Sequence, residues 1–173
     1  MAELPALIVV MGVSGAGKST LARALGDRLR RPVVDADDLH PPANRRKMSE
    51  GVPLTDADRA PWMDAVCARL ATADEPLVLA HSGLRREHRS ALRTQGLSCA
   101  FFWLHGSFAL LRARLADRRG HFMAPTLLRS QFDAFEATDD EGDVIPIDST
   151  LPTPEQADAC LAALAPLLRG DLP

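Results

Sequence analysis

The sequence has few cysteines, and they lie far apart. Cys67, Cys99 and Cys160 are odd in number, include no Cys-x-x-Cys pair and form no ligand-spaced group with the histidines. This distribution argues against a disulfide framework and gives no sign of a structural zinc site. Each cysteine is therefore expected to behave as a small apolar residue.

The sequence also lacks a long apolar run and an excess of positive charge. No stretch reaches the 18 apolar residues of a membrane span, and the apolar stretch 4–13 has no basic residues before it, so neither a span nor a signal peptide is expected. The net charge is −3, from 20 Lys and Arg against 23 Asp and Glu. These absences favour a cytoplasmic protein that binds neither membranes nor nucleic acid through bulk charge.

Apolar runs of strand length alternate with segments of helical periodicity. Residues 6–11, 32–34, 77–80, 100–104 and 143–147 have the pattern of strands. The first is apolar on both faces, as a central parallel strand is, and Pro146 in the last argues for a sheet edge or a strand end. With 173 residues, the pattern predicts one α/β domain, 1–173: a three-layer α/β/α fold with a five-stranded, mainly parallel sheet.

Two polar segments that contain Gly or Pro interrupt this alternation, at about 37–61 and about 118–126. Ligands of open α/β sheets bind beyond the carboxyl ends of the strands. We therefore expect the first segment to be a substrate-binding flap and the second a lid. Trp62 is expected to begin the next helix, directly behind Pro61.

A glycine-rich segment after the first strand matches the pattern G-x-x-x-x-G-K-[ST], which is typical of a phosphate-binding loop. Its backbone N–H groups and the following helix N-terminus cradle phosphates, Lys18 reaches the β- and γ-phosphates, and Ser19 offers a hydroxyl to Mg²⁺. The ATP-binding residues predicted from this segment are Gly12, Val13, Ser14, Gly15, Ala16, Gly17, Lys18, Ser19 and Thr20.

The loop alone does not choose between a switch, a motor and a small-molecule kinase. The Asn-Lys-x-Asp motif that reads guanine is absent, and the chain is short for a motor. The small size of the chain therefore favours a kinase of the nucleoside-monophosphate-kinase type.

Charged residues elsewhere supply candidates for the chemistry. If the second strand stays extended, Asp35 and Asp37 face the same side, so that one carboxylate supports Mg²⁺ and the other accepts the proton of an attacking hydroxyl. Arg114 and Arg118 stand four apart near the lid, where either is positioned to neutralise the γ-phosphate in the transition state.

Residues 35–62 resemble the gluconate kinase family, whose pattern there is D-G-D-x-L-H-P-x-x-N-x-x-K-M-x-x-G-x-P-L-x-D-x-D-R-x-P-W. Ala36 replaces the usual glycine. The resemblance continues at Gly106, at 114–123 and at 127–132, and it covers about residues 7–148. Shikimate kinases, which are related small kinases, lack the long His-Pro to Pro-Trp motif.

The resemblance implies phosphoryl transfer from ATP to the 6-hydroxyl of D-gluconate, with Mg²⁺ required and a homodimer as the usual assembly. It implies that Asp35 supports Mg²⁺ together with Ser19, and that Asp37 is the base. The predicted catalytic residues are Lys18, Asp37 and Arg118, and the predicted acceptor contacts are Asp37, His40, Arg59, Ser82, Arg85 and Arg89. A related kinase for another sugar acid or a shikimate-like acceptor, and an ATP-binding regulator without turnover, are the alternatives.

One stretch departs from the family pattern. After the third strand, His81, Gly83 and His88 replace the usual Cys, Ala and Tyr. Because histidines titrate near neutrality, these replacements predict a changed affinity or pH profile, and they leave a different sugar acid open as the acceptor.

Overall fold

A computed structural model of the chain describes residues 3–117 and 125–169. Its five strands are β1 (Leu7–Met11), β2 (Val33–Asp35), β3 (Leu77–His81), β4 (Cys99–His105) and β5 (Val144–Asp148). Its helices are α1 (Lys18–Leu29), α2 (Pro42–Ser49), α3 (Asp56–Ala71), α4 (Arg86–Arg93), α5 (Phe108–Asp117), α6 (Pro125–Ala134) and α7 (Thr153–Arg169), with a 3₁₀ turn at Ala36–Leu39.

The strands form one sheet in the order β2-β3-β1-β4-β5, and every pair is parallel. The predicted five-stranded α/β fold is therefore confirmed. All five residues of β1 are buried, as expected of a central strand with helices on both faces. Pro146 lies in β5, an edge strand that pairs only with β4, where a missing backbone N–H is tolerated.

Alternate residues of β1 enter two cores on opposite faces of the sheet. Ile8 and Val10 pack in a cluster that draws on α1, α5, α6 and α7. Leu7, Val9 and Met11 pack on the other face, against α3 and α4. The period of two along a strand thus produces the three layers. Within 3–117 and 125–169, none of the helices has the length and apolar character that a membrane crossing requires.

The segment 37–61 is more regular than the sequence suggested. It contains the 3₁₀ turn, α2 and the first turns of α3, so the expectation that Trp62 begins a helix was wrong. Thr55 caps α3 in a reciprocal capping box with Asp58, which starts the helix early and leaves Pro61 inside it. Pro42 at the first position of α2 was a start signal that the polar composition obscured.

Candidate active site

The glycine-rich segment forms a turn between the end of β1 and the start of α1, as its motif predicted. Gly17 has a φ of 99° directly before the helix, a left-handed conformation that glycine adopts without strain. A Cβ on Gly12 would lie 2.7 Å from the carbonyl oxygen of Leu104. The turn therefore needs glycine at both ends.

Ser19 and Asp35 meet where α1 begins and β2 ends. The Ser19 hydroxyl donates to Asp35 Oδ2 at 2.5 Å, while Asp35 Oδ1 accepts the backbone N–H of Asp37 at 3.1 Å. Hydroxyl and carboxylate oxygens are the hard donors that Mg²⁺ prefers, often with only one or two protein ligands beside substrate phosphates. The oxygens of Ser19 and Asp35 are thus suited to binding Mg²⁺. Across residues 3–117 and 125–169, no group of three or more His, Cys, Asp or Glu side chains could hold a metal ion.

A cavity of about 110 Å³ opens beside the phosphate loop. Asp37 lines this cavity because the chain turns at Ala36 instead of staying extended. The expectation that Asp35 and Asp37 project from one side of an extended strand was therefore wrong, although both residues lie near the phosphate loop. The Asp37 side chain is 65% exposed, and its Oδ1 is 4.0 Å from His40 Nε2. The cavity is lined by Ser14, Lys18, Asp37, His40, Met48, Leu54, Arg59, Trp62, Ser82, Leu84, Leu127, Ser130 and Gln131.

Three of the predicted acceptor contacts besides Asp37 line this cavity, namely His40, Arg59 and Ser82. Two others lie elsewhere. Arg85 lines a separate surface cleft, where it pairs with Asp56 and Glu136.

Arg89 is wholly buried and bonds to protein groups only. Its guanidinium pairs with Glu141 and donates to the Gly83 carbonyl at 2.7 Å. A guanidinium with its donors taken by a carboxylate and main-chain carbonyls supports the loop after β3 instead of reaching a ligand.

Polar residues of the long motif bond to one another within the segment 37–61. Lys47 Nζ donates to Asp58 at 2.7 Å, and Asn44 Nδ2 donates to the Asp58 carbonyl at 2.7 Å. The Lys47 hydrogen bond, with those from Thr55, lowers the pKa of Asp58 to about 2. These contacts tie α2 to the start of α3.

The remaining predicted ATP residues lie around α1 and α5. Thr20 is exposed on α1, and Lys18 Nζ donates to the Val13 carbonyl at 3.2 Å. Arg114 Nη2 donates to the Ser149 carbonyl at 2.6 Å. Arg118, with most of the predicted lid, lies outside the described residues; 125 and 126 belong to α6.

Three aromatic rings are stacked at the wall of the cavity. Trp62 lies between His40 and His81, with ring centroids 4.5 Å and 4.6 Å away, and its Nε1 donates to the Ala36 carbonyl. His81 is fully buried, and its Nδ1 accepts the Gly83 N–H at 2.9 Å, so a neutral ring carries its proton on Nε2. His88 meets Trp62 edge-on. The indole of Trp62 thus separates His81 from the cavity.

Acidification is expected to destabilise the fold through His81. Burial lowers the pKa of His81 to about 3, and the charges of His88, Lys18 and His40 act in the same direction. An unfolded histidine titrates near 6.5, so the unfolded chain binds the extra proton between those values. The free energy of unfolding therefore falls as pH falls through that window, by up to about 1.4 kcal/mol per unit.

Denaturant unfolding at pH 7 and pH 5 checks this expectation. The matched variant is His81→Cys, which places the residue of the family pattern behind Trp62 and removes the titrating group. We expect the variant to lose less stability on acidification than the wild type, and equal losses would contradict the role of His81.

Helix α6 adds cavity residues that the motifs did not single out. Leu127, Ser130 and Gln131 line the cavity, and the Ser14 N–H donates to Gln131 Oε1 at 2.7 Å. The stretch 127–132 carries part of the family resemblance, which was the available signal. Nothing in its local pattern indicates contact with a loop 117 positions earlier.

Comparison with known proteins gives consistent matches. A family model described as an AAA domain matches residues 7–140. A gluconokinase of Gluconobacter oxydans is 46% identical over 145 residues, covering 82% of this chain and 81% of that protein. The crystal structure of a gluconokinase from Sinorhizobium meliloti superposes with a TM-score of 0.89 at 43% identity, covering 97% and 96% of the two chains. A shikimate kinase from Aquifex aeolicus shares the fold, with a TM-score of 0.60 at 17% identity, covering 95% and 99%.

Proposed function

This chain belongs to the gluconokinase family of P-loop kinases, and we propose that it transfers the γ-phosphoryl group of ATP to the 6-hydroxyl of D-gluconate. The products are ADP and 6-phospho-D-gluconate. The observation that carries the proposal is one cavity that Lys18 of the phosphate loop lines together with Asp37, His40 and Arg59 of the proposed flap. Phosphate-binding and acceptor-binding groups thus share one small space beside the carboxyl ends of the strands.

The phosphate loop holds the donor. Its backbone N–H groups and Lys18 neutralise the phosphate oxygens, and these charges act where negative charge spreads in the transition state. When bound, Mg²⁺ adds positive charge at the phosphates. Ser19 and Asp35 are the residues that would hold it, because their oxygens already lie 2.5 Å apart.

Asp37 receives the acceptor proton. As the bond between the 6-oxygen and the γ-phosphorus forms, the bond from that phosphorus to the ADP oxygen breaks, and the hydroxyl proton passes to the Asp37 carboxylate. His40 Nε2, at 4.0 Å from that carboxylate, is placed to hydrogen-bond a hydroxyl between them. The stacked Trp62 fixes the plane of the His40 ring.

Arg59 binds the sugar-acid carboxylate. One of its terminal nitrogens donates to Asp56 at 2.7 Å, and among the described residues its other nitrogens have no hydrogen-bond partner. A planar guanidinium with free donors suits a carboxylate. Ser82, which lines the same cavity, supplies a hydroxyl for the polyol chain.

Arg114 and Arg118 belong to the ATP side in this proposal, with Thr20 at the end of the loop. Helix α5 packs directly under the loop, since a Cβ on Gly15 would lie 3.0 Å from Leu115 Cγ. Arg114 precedes that leucine. The family resemblance also supports a homodimer, which sedimentation of the purified chain tests.

The test is ADP release from Mg²⁺-ATP in the presence of D-gluconate, shikimate, glucose, other aldonic acids or no acceptor. We expect a large rate that depends on gluconate. Turnover only with another acid would support a kinase activity and would rule out D-gluconate as the acceptor. No turnover with any acceptor, together with tight ATP binding, would favour a regulator that has lost catalysis.

A further inference from the structure

Helix α6 touches the phosphate loop through a side-chain amide. The Ser14 N–H donates to Gln131 Oε1 at 2.7 Å. Because a backbone N–H only donates, the oxygen of the carboxamide must face Ser14, which fixes the orientation of the group. The Nε2 amide then lies on the opposite branch of the same side chain.

The Nε2 amide of Gln131 is available to a ligand. Among the described residues it donates no hydrogen bond, and Gln131 lines the cavity together with Ser14, Lys18 and Asp37. The cavity therefore brings Gln131 together with two residues of the phosphate loop and with the proposed base.

We propose that Gln131 is a catalytic residue that donates from Nε2 to an oxygen of the transferring γ-phosphoryl group while its Oε1 holds the Ser14 amide. This inference rests on the proposed function for the identity of the acceptor, but not for the contact with the γ-phosphate. Fixed donors that meet charge as it develops are the main means by which proteins accelerate phosphoryl transfer. The double contact would keep the donor in place before ATP arrives.

Two variants of Gln131 separate its two contacts. Gln131→Glu keeps an oxygen for the Ser14 N–H and puts a negative oxygen where the donor was. Gln131→Met removes both contacts at similar length. We expect kcat to fall about 100-fold or more in the Glu variant and about 10- to 100-fold in the Met variant. Wild-type kcat in the Glu variant would overturn the proposal, whether or not the Met variant is impaired.

Nucleotide binding gives a readout that does not depend on turnover. The affinities of the wild type and the Glu variant are measured by calorimetry for ADP and for a non-hydrolysable ATP analogue that carries a γ-phosphate. We expect the analogue to bind about 10-fold more weakly to the variant, and ADP to bind within about 2-fold of the wild type. Equal weakening of both nucleotides, or of neither, would overturn the proposal.

The control is Gln95→Glu, which adds the same charge after α4. Gln95 bonds to the Ala91 carbonyl and lies near the start of β4, at the opposite end of the sheet from the phosphate loop. We expect wild-type affinity for both nucleotides in this control. If the wild type shows no turnover of gluconate while the difference between the nucleotides persists, the proposed function fails and this inference stands.

Discussion

Replacement of Lys18 by alanine is expected to lower kcat by about 1000-fold or more. Lys18 is the first residue of α1 and lines the cavity where the γ-phosphate would lie. A positive charge that meets the transferring group in a site shielded from water is among the strongest contributions to phosphoryl transfer. Steady-state ADP release at saturating substrate concentrations measures the fall in kcat. Near-normal turnover would show that residues 12–19 are not the phosphate-binding loop of the enzyme.

Lys47 provides the matched control, because it is the only other lysine in the chain. Its ammonium group bonds to Asp58 and so ties α2 to α3. Lys47→Ala is therefore expected to lower the thermal stability while the affinity for ATP stays within about 2-fold of the wild type. Weaker ATP binding in the Lys47 variant would show that loss of any lysine charge, and not only of the lysine in the loop, disturbs the nucleotide site.

Asp37→Asn is expected to lower kcat by about 100- to 1000-fold, with the affinity for ATP within about 2-fold of the wild type. The amide keeps the size of the side chain and removes its ability to take the hydroxyl proton. Asp38→Asn is the control, since Asp38 is exposed on the same 3₁₀ turn and does not line the cavity. An unchanged kcat in the Asp37 variant would show that this carboxylate is not the base.

The sheet was predictable because its signals are local. The apolar run that ends at Met11, followed directly by glycine-rich residues and Lys18, fixes both the central strand and the phosphate loop. The junction at 37–61 was not predictable in the same way. Its order depends on the capping of α3 by Thr55 and on the bond from Lys47 to Asp58, and a polar segment held by such contacts has the same composition as a loop.

The site was predictable only in part. A sequence motif indicates which residues are candidates for the site, but it does not show whether a side chain points into the cavity or bonds to other protein groups. Arg59 lines the cavity, whereas Arg89 is buried against Glu141, 52 positions away along the chain. The contact of Gln131 with Ser14 likewise depends on tertiary packing between distant elements. His81, which departs from the family pattern, lies behind Trp62, so that its effect on stability could be judged only from the fold.

The most direct test of the account is the structure of the product formed from ATP and D-gluconate. Carbon and phosphorus NMR of the reaction mixture identifies the carbon that bears the new phosphate ester. We expect phosphorus coupling to C6 and its neighbour C5, together with one ADP per phosphate ester. Phosphate on another hydroxyl, or ADP formed with free phosphate and no ester, would contradict the proposed roles of Asp37 as the base for the 6-hydroxyl and of Arg59 as the residue that binds the carboxylate.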